Sequence, residues 1–419
     1  MSETATTAPA GGGEPYVFNP FAPGFTDDPY PHYAHMRAMD PVHAHPLGFW
    51  VLARHDDVVA LLRSKNSVDD RNSAPSPIRE LRVAATGGDF SRPLAPSMLD
   101  RDPPDHTRLR KLVSQAFTLR AVEALEPRVI ELVDAALDRI EARIAESGQA
   151  DLVAELAYPL PFAVICEMLG MPDTDHGRLR ELAGTLVRSL EPVTDAELIA
   201  AISAAGREIS ERVAQVVADK RRAPGDDLLT ALIQAEDDGD VLSDEELLAQ
   251  VVLLYVAGHE TTVNLIANGS IALMRNPEQF ALLAGRPDLD ANAVEELLRY
   301  DSPVQQSRRI TLAPYEVGGR VIPPGTFVIA NLASANRDEE FWGPDADQLR
   351  VDRPNARGQV SFGGGPHHCL GASLARLEGR VALGRLVRRF PTLRLAGDIT
   401  WNGRLNLRGP LTVPATTAT

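Results

Sequence analysis

The segment from Phe362 to Gly371, which reads FGGGPHHCLG, constrains the fold of this chain more than any other. Three consecutive glycines do not belong to a regular helix, and a glycine backbone can approach a flat ligand closely. Cys369 lies just before an apolar helical pattern that runs from Ala372 to Phe390. Backbone N–H groups and a helix N-terminus stabilise a thiolate. The segment therefore indicates a thiolate metal ligand presented on a loop.

Two other interpretations of this segment stay open on the residues alone. Cys369 could be a small buried hydrophobic residue, or it could form a zinc site with His367 and His368. Zinc is disfavoured because consecutive residues point in different directions and no second Cys/His pair lies at the usual ligand spacing. The other cysteine, Cys166, lies in an apolar stretch, and we expect it to be packed and inert.

Helical patterns occupy most of the chain. Apolar residues recur every three or four positions in Leu119–Ile144, which predicts one long helix there. A second helix is predicted over Asp195–Arg222. Ser243 and Glu246 form a capping-box pattern that opens a third, mostly apolar helix, and an Asn-Pro pair stops this helix after Arg275.

Strand character is confined to short pieces, and Gly318 with Gly319 predicts a hairpin turn between two of them. A length of 419 residues would allow two or three domains, but no composition break longer than a loop divides the chain. We therefore predict a mainly α fold with a small β region, as one large domain over residues 16–419 after a disordered segment, residues 1–15. The predicted strand pieces are Ile310–Val317, Val321–Ile322, Thr326–Leu332, the region of Leu393, and Leu405–Val413.

The charge balance excludes some partners. There are 42 Lys and Arg residues against 58 Asp and Glu residues, a net charge of −16, which disfavours binding to nucleic acid and to anionic lipid. Two cysteines do not make a disulfide framework, which suits a reducing compartment. The N-terminus lacks a signal-peptide pattern, and the apolar stretch Leu152–Met171 contains two glutamates and two prolines. We expect a cytoplasmic protein without a membrane anchor.

The third predicted helix contains an unusual polar interruption, AGHETT, over Ala257–Thr262. Glycine in a helix interior costs about 1 kcal/mol relative to alanine, and threonine hydroxyls compete for backbone carbonyls. A local bulge or kink is therefore expected. A polar stripe facing solvent is the alternative, but the apolar residues on both sides favour burial.

The glycine and cysteine segment resembles the haem-binding signature of cytochrome P450, Phe-x-x-Gly-x-(His or Arg)-x-Cys-x-Gly. The resemblance implies that Cys369 is the axial thiolate of haem b (iron protoporphyrin IX), a ligand that favours O–O bond cleavage. It also implies that Ser361 and Gly363 belong to the haem-binding loop. The fixed positions of the signature are all filled, by Phe362, Gly365, His367, Cys369 and Gly371.

The AGHETT segment looks like the oxygen-activation motif of the same family. By that match Thr261 would hold dioxygen and its water, and Glu260 would help to relay protons. Ala257 and Gly258 would border the haem. His259 occupies a position that varies in the family, and the resemblance assigns it no role.

A third segment, Asp102–Arg110, resembles the family's Pro-Pro-x-His-x-x-x-Arg helix. His106 and Arg110 are four residues apart and share a helix face, which suits a carboxylate ligand. Without the resemblance, two surface residues on an exposed helix would be the simpler interpretation. The match implies that these two, together with Arg309 and His367, bind the haem propionates.

Glu296 and Arg299 lie three apart, as in the family's Glu-x-x-Arg helix. Arg353 matches the arginine that completes this buried triad in the family. The resemblance implies a structural triad that braces the haem loop. Gln348 stands where the family often has an arginine, which leaves the contacts of that stretch less defined.

These motifs follow the family's order from Pro103 to Gly371. The resemblance implies a monooxygenase that inserts one atom of O2 into a lipophilic small molecule, such as a polyketide or macrolide, a terpenoid or a steroid-like compound. Electrons would come from a separate ferredoxin and ferredoxin reductase. Two alternatives stay open: a peroxide-driven or otherwise reduced haem oxidase, and a non-catalytic haem sensor.

Further hypotheses concern partner and substrate contacts. A basic docking face for the electron carrier is predicted from the cluster Arg108, Lys111, Arg376 and Arg380. Gln305 and Gln306, if they point inward, would hydrogen-bond an oxygenated substrate. The parts of the chain expected to roof the haem are Val68–Met98, Arg178–Ala223, Tyr255–Ala257, Val304–Ser307 and the tail near Asn406 and Leu407.

A metal site at the N-terminal histidines is disfavoured. His43 and His45 would share one strand face if their segment is extended, with His32 and His35 nearby. No acid at a recognisable spacing orients them. We expect partly exposed imidazoles.

Overall fold

The structure is a computed structural model that describes residues 16–86, 97–171, 176–191 and 195–417. The predicted disordered segment, residues 1–15, lies outside these ranges. The described chain is mainly helical, as predicted. Its α-helices are α1 Tyr30–Met39, α2 His55–Arg63, α3 Pro77–Thr86, α4 Asp105–Ala116, α5 Leu119–Glu123, α6 Glu126–Ser147, α7 Pro159–Leu169, α8 His176–Leu186, α9 Ala196–Arg222, α10 Leu228–Gln234, α11 Asp244–Arg275, α12 Pro277–Gly285, α13 Asp290–Tyr300, α14 Leu332–Ala335, α15 Glu339–Trp342 and α16 Ala372–Arg389.

The strands form small sheets at the side of the helices. The largest sheet has four strands in the order β1-β2-β9-β6, in which β2 pairs with β9 in parallel and the other pairs are antiparallel. The strands are β1 Val42–Ala44, β2 Phe49–Leu52, β3 Ala150–Asp151, β4 Glu236–Asp237, β5 Asp240–Val241, β6 Gln306–Ile310, β7 Tyr315–Val317, β8 Arg320–Ile322, β9 Phe327–Asn331, β10 Leu393–Leu395, β11 Thr400–Trp401, β12 Pro410–Thr412 and β13 Pro414–Thr417.

Helix α11 forms the centre of the fold and packs against α7, α9, α13 and α16. Its start is as predicted: the Ser243 hydroxyl accepts from the Glu246 backbone N–H, and the Glu246 carboxylate accepts from the Ser243 N–H. The prediction was a bulge or a kink, and its bulge is wrong, because residues 257–262 continue as α-helix. The hydroxyls of Thr261 and Thr262 donate to carbonyls four residues earlier, so the helix absorbs them without breaking.

The single helix predicted over Leu119–Ile144 is wrong. The chain forms α5 and α6 with a break at Ala124 and Leu125, and Pro127 lies in the first turn of α6. Proline has no backbone N–H to donate and suits a helix start. The apolar residues therefore keep a helical spacing across two separate helices, which is why the sequence pattern predicted a single helix.

Most strand predictions were right in place but not in length. The piece Ile310–Val317 is the end of β6 and all of β7, separated by a turn. The prediction of a strand over Leu405–Val413 is wrong for most of that range, where only β12 Pro410–Thr412 forms. The strands missed are β1, β2, β3, β4, β5, β11 and β13. The hairpin at Gly318 and Gly319 is confirmed, since both residues have positive φ, of 55° and 73°.

The predicted triad of Glu296, Arg299 and Arg353 is confirmed as a buried cluster. It lies behind the segment Phe362–Gly371, which is called the cysteine loop from here on. The Arg299 and Arg353 guanidiniums donate to the Glu296 carboxylate, with Nε–O distances of 2.7 and 3.1 Å, and the three side chains are at most 2% exposed. Both arginines also donate to the backbone carbonyl of Gln348, so the missing arginine side chain at that position is not needed for these contacts.

None of the helices in the described ranges combines the length and the apolar character of a membrane span.

Candidate functional site

A cavity of about 1610 Å³ lies between α11, the cysteine loop, α4 and strand β6. It gathers residues that are far apart in the sequence. All of the predicted cofactor-binding residues line it: His106, Arg110, Ala257, Gly258, Arg309, Ser361, Phe362, Gly363, His367, Cys369 and Gly371. Thr261 lines it too, whereas Glu260 is not among its lining residues.

The cysteine loop is held in shape by its own backbone and by α2. Gly365 has a φ of +66°, and a Cβ there would lie 2.4 Å from the carbonyl oxygen of Leu62. The Cys369 N–H donates to the Phe362 carbonyl at 2.9 Å, which closes the loop beneath the sulfur. Helix α16 then begins at Ala372. Gly363 and Gly365 are therefore required by a left-handed backbone, and Gly365 also by its close approach to α2, which differs from the predicted approach to a flat ligand.

The thiol of Cys369 faces this cavity in an apolar setting. Burial raises the pKa of Cys369, although the Gly371 N–H and the guanidiniums of Arg110 and Arg376 lower it. The loop N–H therefore acts in the predicted direction, whereas desolvation acts against the thiolate. A positively charged metal at the sulfur would reverse this balance, since a coordinating thiol is deprotonated.

Cationic and imidazole groups converge at one end of the cavity without anionic partners. His106 is 2% exposed, and both of its ring nitrogens lack a hydrogen-bond partner. Its ring packs on His367 with 4.0 Å between ring centroids. Burial lowers the pKa of both rings, that of His367 to about 3. Such groups left unsatisfied in the interior fit a bound anion.

Two arginines complete this cationic end. Burial lowers the pKa of Arg110, and it lowers the pKa of Arg309 to about 10. The Arg309 guanidinium donates to backbone carbonyls of Arg308 and Leu62 and to the Ser307 hydroxyl, contacts that leave its charge unneutralised. Guanidinium groups bind carboxylates strongly when water is excluded.

A flat group would fit between the cysteine loop and α11. A Cβ added at Gly371 would meet nothing within 4 Å, so no protein contact requires glycine there, and the position lies open to the cavity. On α11, Ala257 lines the cavity with a single methyl group and Gly258 lines it with no side chain. The cavity therefore matches what a haem with two carboxylates requires. It offers a soft sulfur ligand, small residues on two walls, and four cationic or imidazole groups at one end.

Thr261 and Glu260 point in different directions from α11. The Thr261 hydroxyl donates to the Ala257 carbonyl at 3.1 Å and borders the cavity. The Glu260 carboxylate accepts from Arg404 at 2.6 Å, and neither residue is among those that line the cavity. No local sequence pattern indicates this ion pair, which brings the C-terminal tail against α11.

Behind Glu260 lies a buried group of polar side chains. His259 is fully buried, and its Nδ1 hydrogen-bonds to the Tyr255 carbonyl at 3.2 Å. Burial lowers the pKa of His259, so the ring is neutral, and its Nε2 lies 3.9 Å from the Glu260 carboxylate. Tyr255, predicted to roof the haem, instead points to this side. Cys166 is buried in α7 nearby, as predicted.

Of the two glutamines considered as substrate contacts, only one lines the cavity. Gln305 is 1% exposed, and its amide is used within the protein: its Oε1 accepts from Tyr33 and its Nε2 donates to the Ser302 carbonyl. It therefore does not line the cavity, whereas Gln306 does. Adjacent residues of an extended strand point to opposite sides, so the two glutamines could not both face inward.

An aromatic N-terminal segment at one end of the cavity was missed. Phe18, Phe21 and Phe25 line the cavity, and Phe49 of β2 lies beside them. Five aromatic residues between residues 16 and 30 were the available signal.

The histidines predicted to be partly exposed imidazoles differ from one another. His43 is buried, and its ring is bonded to the Asp40 carboxylate and accepts from the Phe18 N–H. The expectations that this imidazole is partly exposed and that no acid orients it are therefore wrong, and both ring nitrogens are already used.

The predicted basic docking face is made of paired arginines. Arg376 pairs with Glu295 and Arg380 with Glu126, at 2.7 and 2.8 Å, and Arg108 contacts Asp240 and Glu246. The cluster is therefore locally neutralised.

Within the described ranges no group of three His, Cys, Asp or Glu side chains could hold a metal ion, which goes against the zinc interpretation.

Comparison with known proteins agrees with this geometry. A family model described as Cytochrome P450 matches residues 88–284 and 288–398. The chain is 42% identical over 405 residues to the vitamin D(3) 25-hydroxylase of Pseudonocardia autotrophica, covering 94% of this chain and 95% of that protein. It is 41% identical over 399 residues to cytochrome P450 monooxygenase PikC of Streptomyces venezuelae, covering 93% and 91%.

Solved structures show the same relationship. Cytochrome P450 PksS of the Bacillus subtilis bacillaene polyketide synthase has a TM-score of 0.86 at 34% identity, covering 96% of this chain and 100% of that chain. The fold, the cysteine loop and the sequence similarity therefore agree over nearly the whole length. This chain belongs to the cytochrome P450 family, whose members are haem-thiolate monooxygenases.

Proposed function

We propose that this protein uses haem b, bound through Cys369, to insert one atom of O2 into a lipophilic small molecule, with electrons from a ferredoxin and its reductase. The observation that carries the proposal is the shared cavity: the Cys369 sulfur, the small residues of α11 and four cationic or imidazole groups all face it. When bound, the haem would supply the activation of dioxygen, which no side chain of the chain can perform. The protein's own groups bind it, exclude water and handle protons.

His106, Arg110, Arg309 and His367 would hold the propionates, since their polar groups lack anionic partners and lie together. Replacing His106 by leucine keeps the bulk but removes both ring nitrogens. We expect haem to leave this variant about tenfold faster than the wild type, equal to about 1.4 kcal/mol. The rate is measured by transfer of haem to excess apomyoglobin.

The matched control is Gln115→Leu, an exposed position on the same helix. Its rate should equal that of the wild type. Equal rates for His106→Leu and the wild type would mean that this residue does not bind a propionate.

Thr261 would position a proton donor at the cavity, because this motif residue lines the cavity with its hydroxyl-bearing side chain, as Thr262 also does. We expect Thr261→Ala to form product about tenfold more slowly and to release more hydrogen peroxide per electron consumed, since proton delivery is impaired. Ser270→Ala is the control, because Ser270 donates to the carbonyl four residues earlier on the same helix but lies outside the cavity. Unchanged coupling in Thr261→Ala would contradict this role.

Glu260 would supply protons to the donor that Thr261 positions. Its carboxylate is held by Arg404, so delivery toward the cavity requires the side chain to leave this ion pair. Glu260 is therefore a proton carrier that acts from outside the cavity and not a group that touches substrate.

The substrate class follows from the cavity and from the relatives. The wall above the cysteine is mainly apolar, with Leu253, Leu254, Val304 and Ile329 among its residues. Two relatives are named for vitamin D(3) hydroxylation and for a polyketide synthase. A secosteroid or a polyketide macrolactone is the substrate class that fits a cavity of this size and polarity.

The proposal is tested by turnover with a surrogate ferredoxin, its reductase and isotopically labelled dioxygen, over a panel of vitamin D3 and polyketide macrolactones. We expect a product that carries one labelled oxygen and whose formation requires ferredoxin. Product formed only with added hydrogen peroxide would favour a peroxide-driven enzyme. Ligand binding without any oxygenated product would favour a haem sensor.

A further inference from the structure

Two segments that approach each other form one side of the substrate cavity. The first is the roof turn, residues 187–191, which follows α8 and places Ser189, Leu190 and Glu191 on the cavity. The second is the wall loop, residues 405–407, near the C-terminus, all three of which also line the cavity. The contact between roof turn and wall loop therefore determines the shape of the cavity here.

One carboxylate makes most of that contact. Glu191 accepts hydrogen bonds from three consecutive backbone N–H groups, those of Leu405 at 2.9 Å, Asn406 at 2.9 Å and Leu407 at 3.0 Å. The Asn406 side chain adds a bond from its Nδ2 to the Leu190 carbonyl at 3.2 Å. Hydrogen bonds to a charged acceptor are roughly twice as strong as neutral ones.

The wall loop is fixed to the core from its other side. The Gln305 N–H donates to the Asn406 carbonyl at 2.8 Å, and the Asn402 side chain donates to the Leu407 carbonyl at 2.9 Å. Just beyond the loop, the Arg408 N–H donates to the Pro303 carbonyl at 2.9 Å. The wall loop is thus a fixed support, and Glu191 attaches the roof turn to it.

We propose that Glu191 is a positioning residue for substrate binding, which fastens the roof turn to the wall loop and so holds the cavity closed on this side. The inference rests on the proposed function, since it assumes that substrate binds in this cavity. Without the carboxylate, three N–H groups lose their acceptor and the roof turn can separate from the wall. A bulky ligand would then dissociate faster. The binding of a ligand small enough to pass through the closed cavity would not change.

The first test is backbone hydrogen exchange of the holoprotein. In Glu191→Gln, a single amide oxygen replaces two charged oxygens, and the NH2 group faces backbone donors. We expect peptides that contain residues 405–407 to exchange at least tenfold faster than in the wild type. Glu211→Gln is the matched control, because Glu211 lines the same cavity but makes none of these contacts with the wall loop. Unchanged exchange in Glu191→Gln would overturn the proposal.

The second test separates positioning from a merely structural role. Dissociation of econazole, a bulky azole, is followed by the Soret band, with cyanide as the small ligand. We expect econazole to dissociate about tenfold faster from Glu191→Gln, with cyanide binding unchanged. Equal econazole rates in Glu191→Gln and the wild type would overturn the positioning role. If econazole does not shift the Soret band of the wild type, the proposed function fails, and the exchange experiment still decides the role of Glu191.

Discussion

Replacing Glu296 by glutamine is expected to destabilise the protein by about 3 to 5 kcal/mol, the usual cost of breaking a buried ion pair by removing one partner. The Glu296 carboxylate accepts from both Arg299 and Arg353 where all three side chains are out of contact with water. Glutamine would leave the Arg299 guanidinium without a counter-charge, and Arg353 would keep only its ion pair with Asp345. The loss is measured as the change in the free energy of unfolding in guanidinium chloride.

The triad also supports the cysteine loop, so the variant should lose haem as well as stability. Arg299 donates to the Asn336 carbonyl, and the Asn336 side chain donates to the Ser361 hydroxyl and accepts from the Val360 N–H. These bonds join the triad to the start of the loop. We therefore expect a lower ratio of Soret to protein absorbance in Glu296→Gln after purification.

The chain contains a matched control for this prediction. Arg128 and Glu131 are also three residues apart on a helix, but their side chains are 47% and 68% exposed. Glu131→Gln should cost less than about 1 kcal/mol, because solvent screens exposed pairs. Similar losses in Glu131→Gln and Glu296→Gln would contradict the assignment of a buried structural triad.

Replacing Cys369 by serine is expected to reduce product formation by about 10³-fold or more, equal to about 4 kcal/mol of activation free energy. Serine has nearly the shape of cysteine, so the loop backbone and its Cys369 N–H bond to Phe362 should persist. The alcohol lacks the electron-donating thiolate on which O–O cleavage in this family depends. The measurement is turnover with the ferredoxin system at equal haem content.

Cys166→Ala is the control for this variant. Cys166 is 2% exposed in α7 and does not line the cavity. Its turnover should stay close to that of the wild type. Full activity in Cys369→Ser would mean that the sulfur has no chemical role.

Sequence reasoning found the candidate site because each part of it is carried by a local pattern. The cysteine loop needs glycines at the left-handed residues Gly363 and Gly365, and His106 with Arg110 needs only the spacing of one helix face. A short motif that fixes local geometry can be predicted without knowing what lies across the cavity. For the same reason α11 was predicted from its cap to its final residue.

The features that were missed depend on contacts between distant segments. The pairing of β2 with β9 joins residues near 50 with residues near 329, and although β9 was predicted, the four-residue strand β2 was not recognised alone. Gln305 lost its predicted role because Tyr33 lies beside it, and Glu260 is turned away from the cavity by Arg404. Tertiary packing decides such side-chain directions, and no local spacing encodes them.

The central claim is that Cys369 is the thiolate ligand of a haem, and the most direct test is the carbon monoxide difference spectrum of the dithionite-reduced protein. We expect a Soret band at the red-shifted position typical of thiolate ligation in the wild type and in Cys166→Ala. This band should be lost in Cys369→His, which offers a nitrogen ligand instead. A protein purified without haem after haem supplementation, or a red-shifted band that persists in Cys369→His, would contradict the claim.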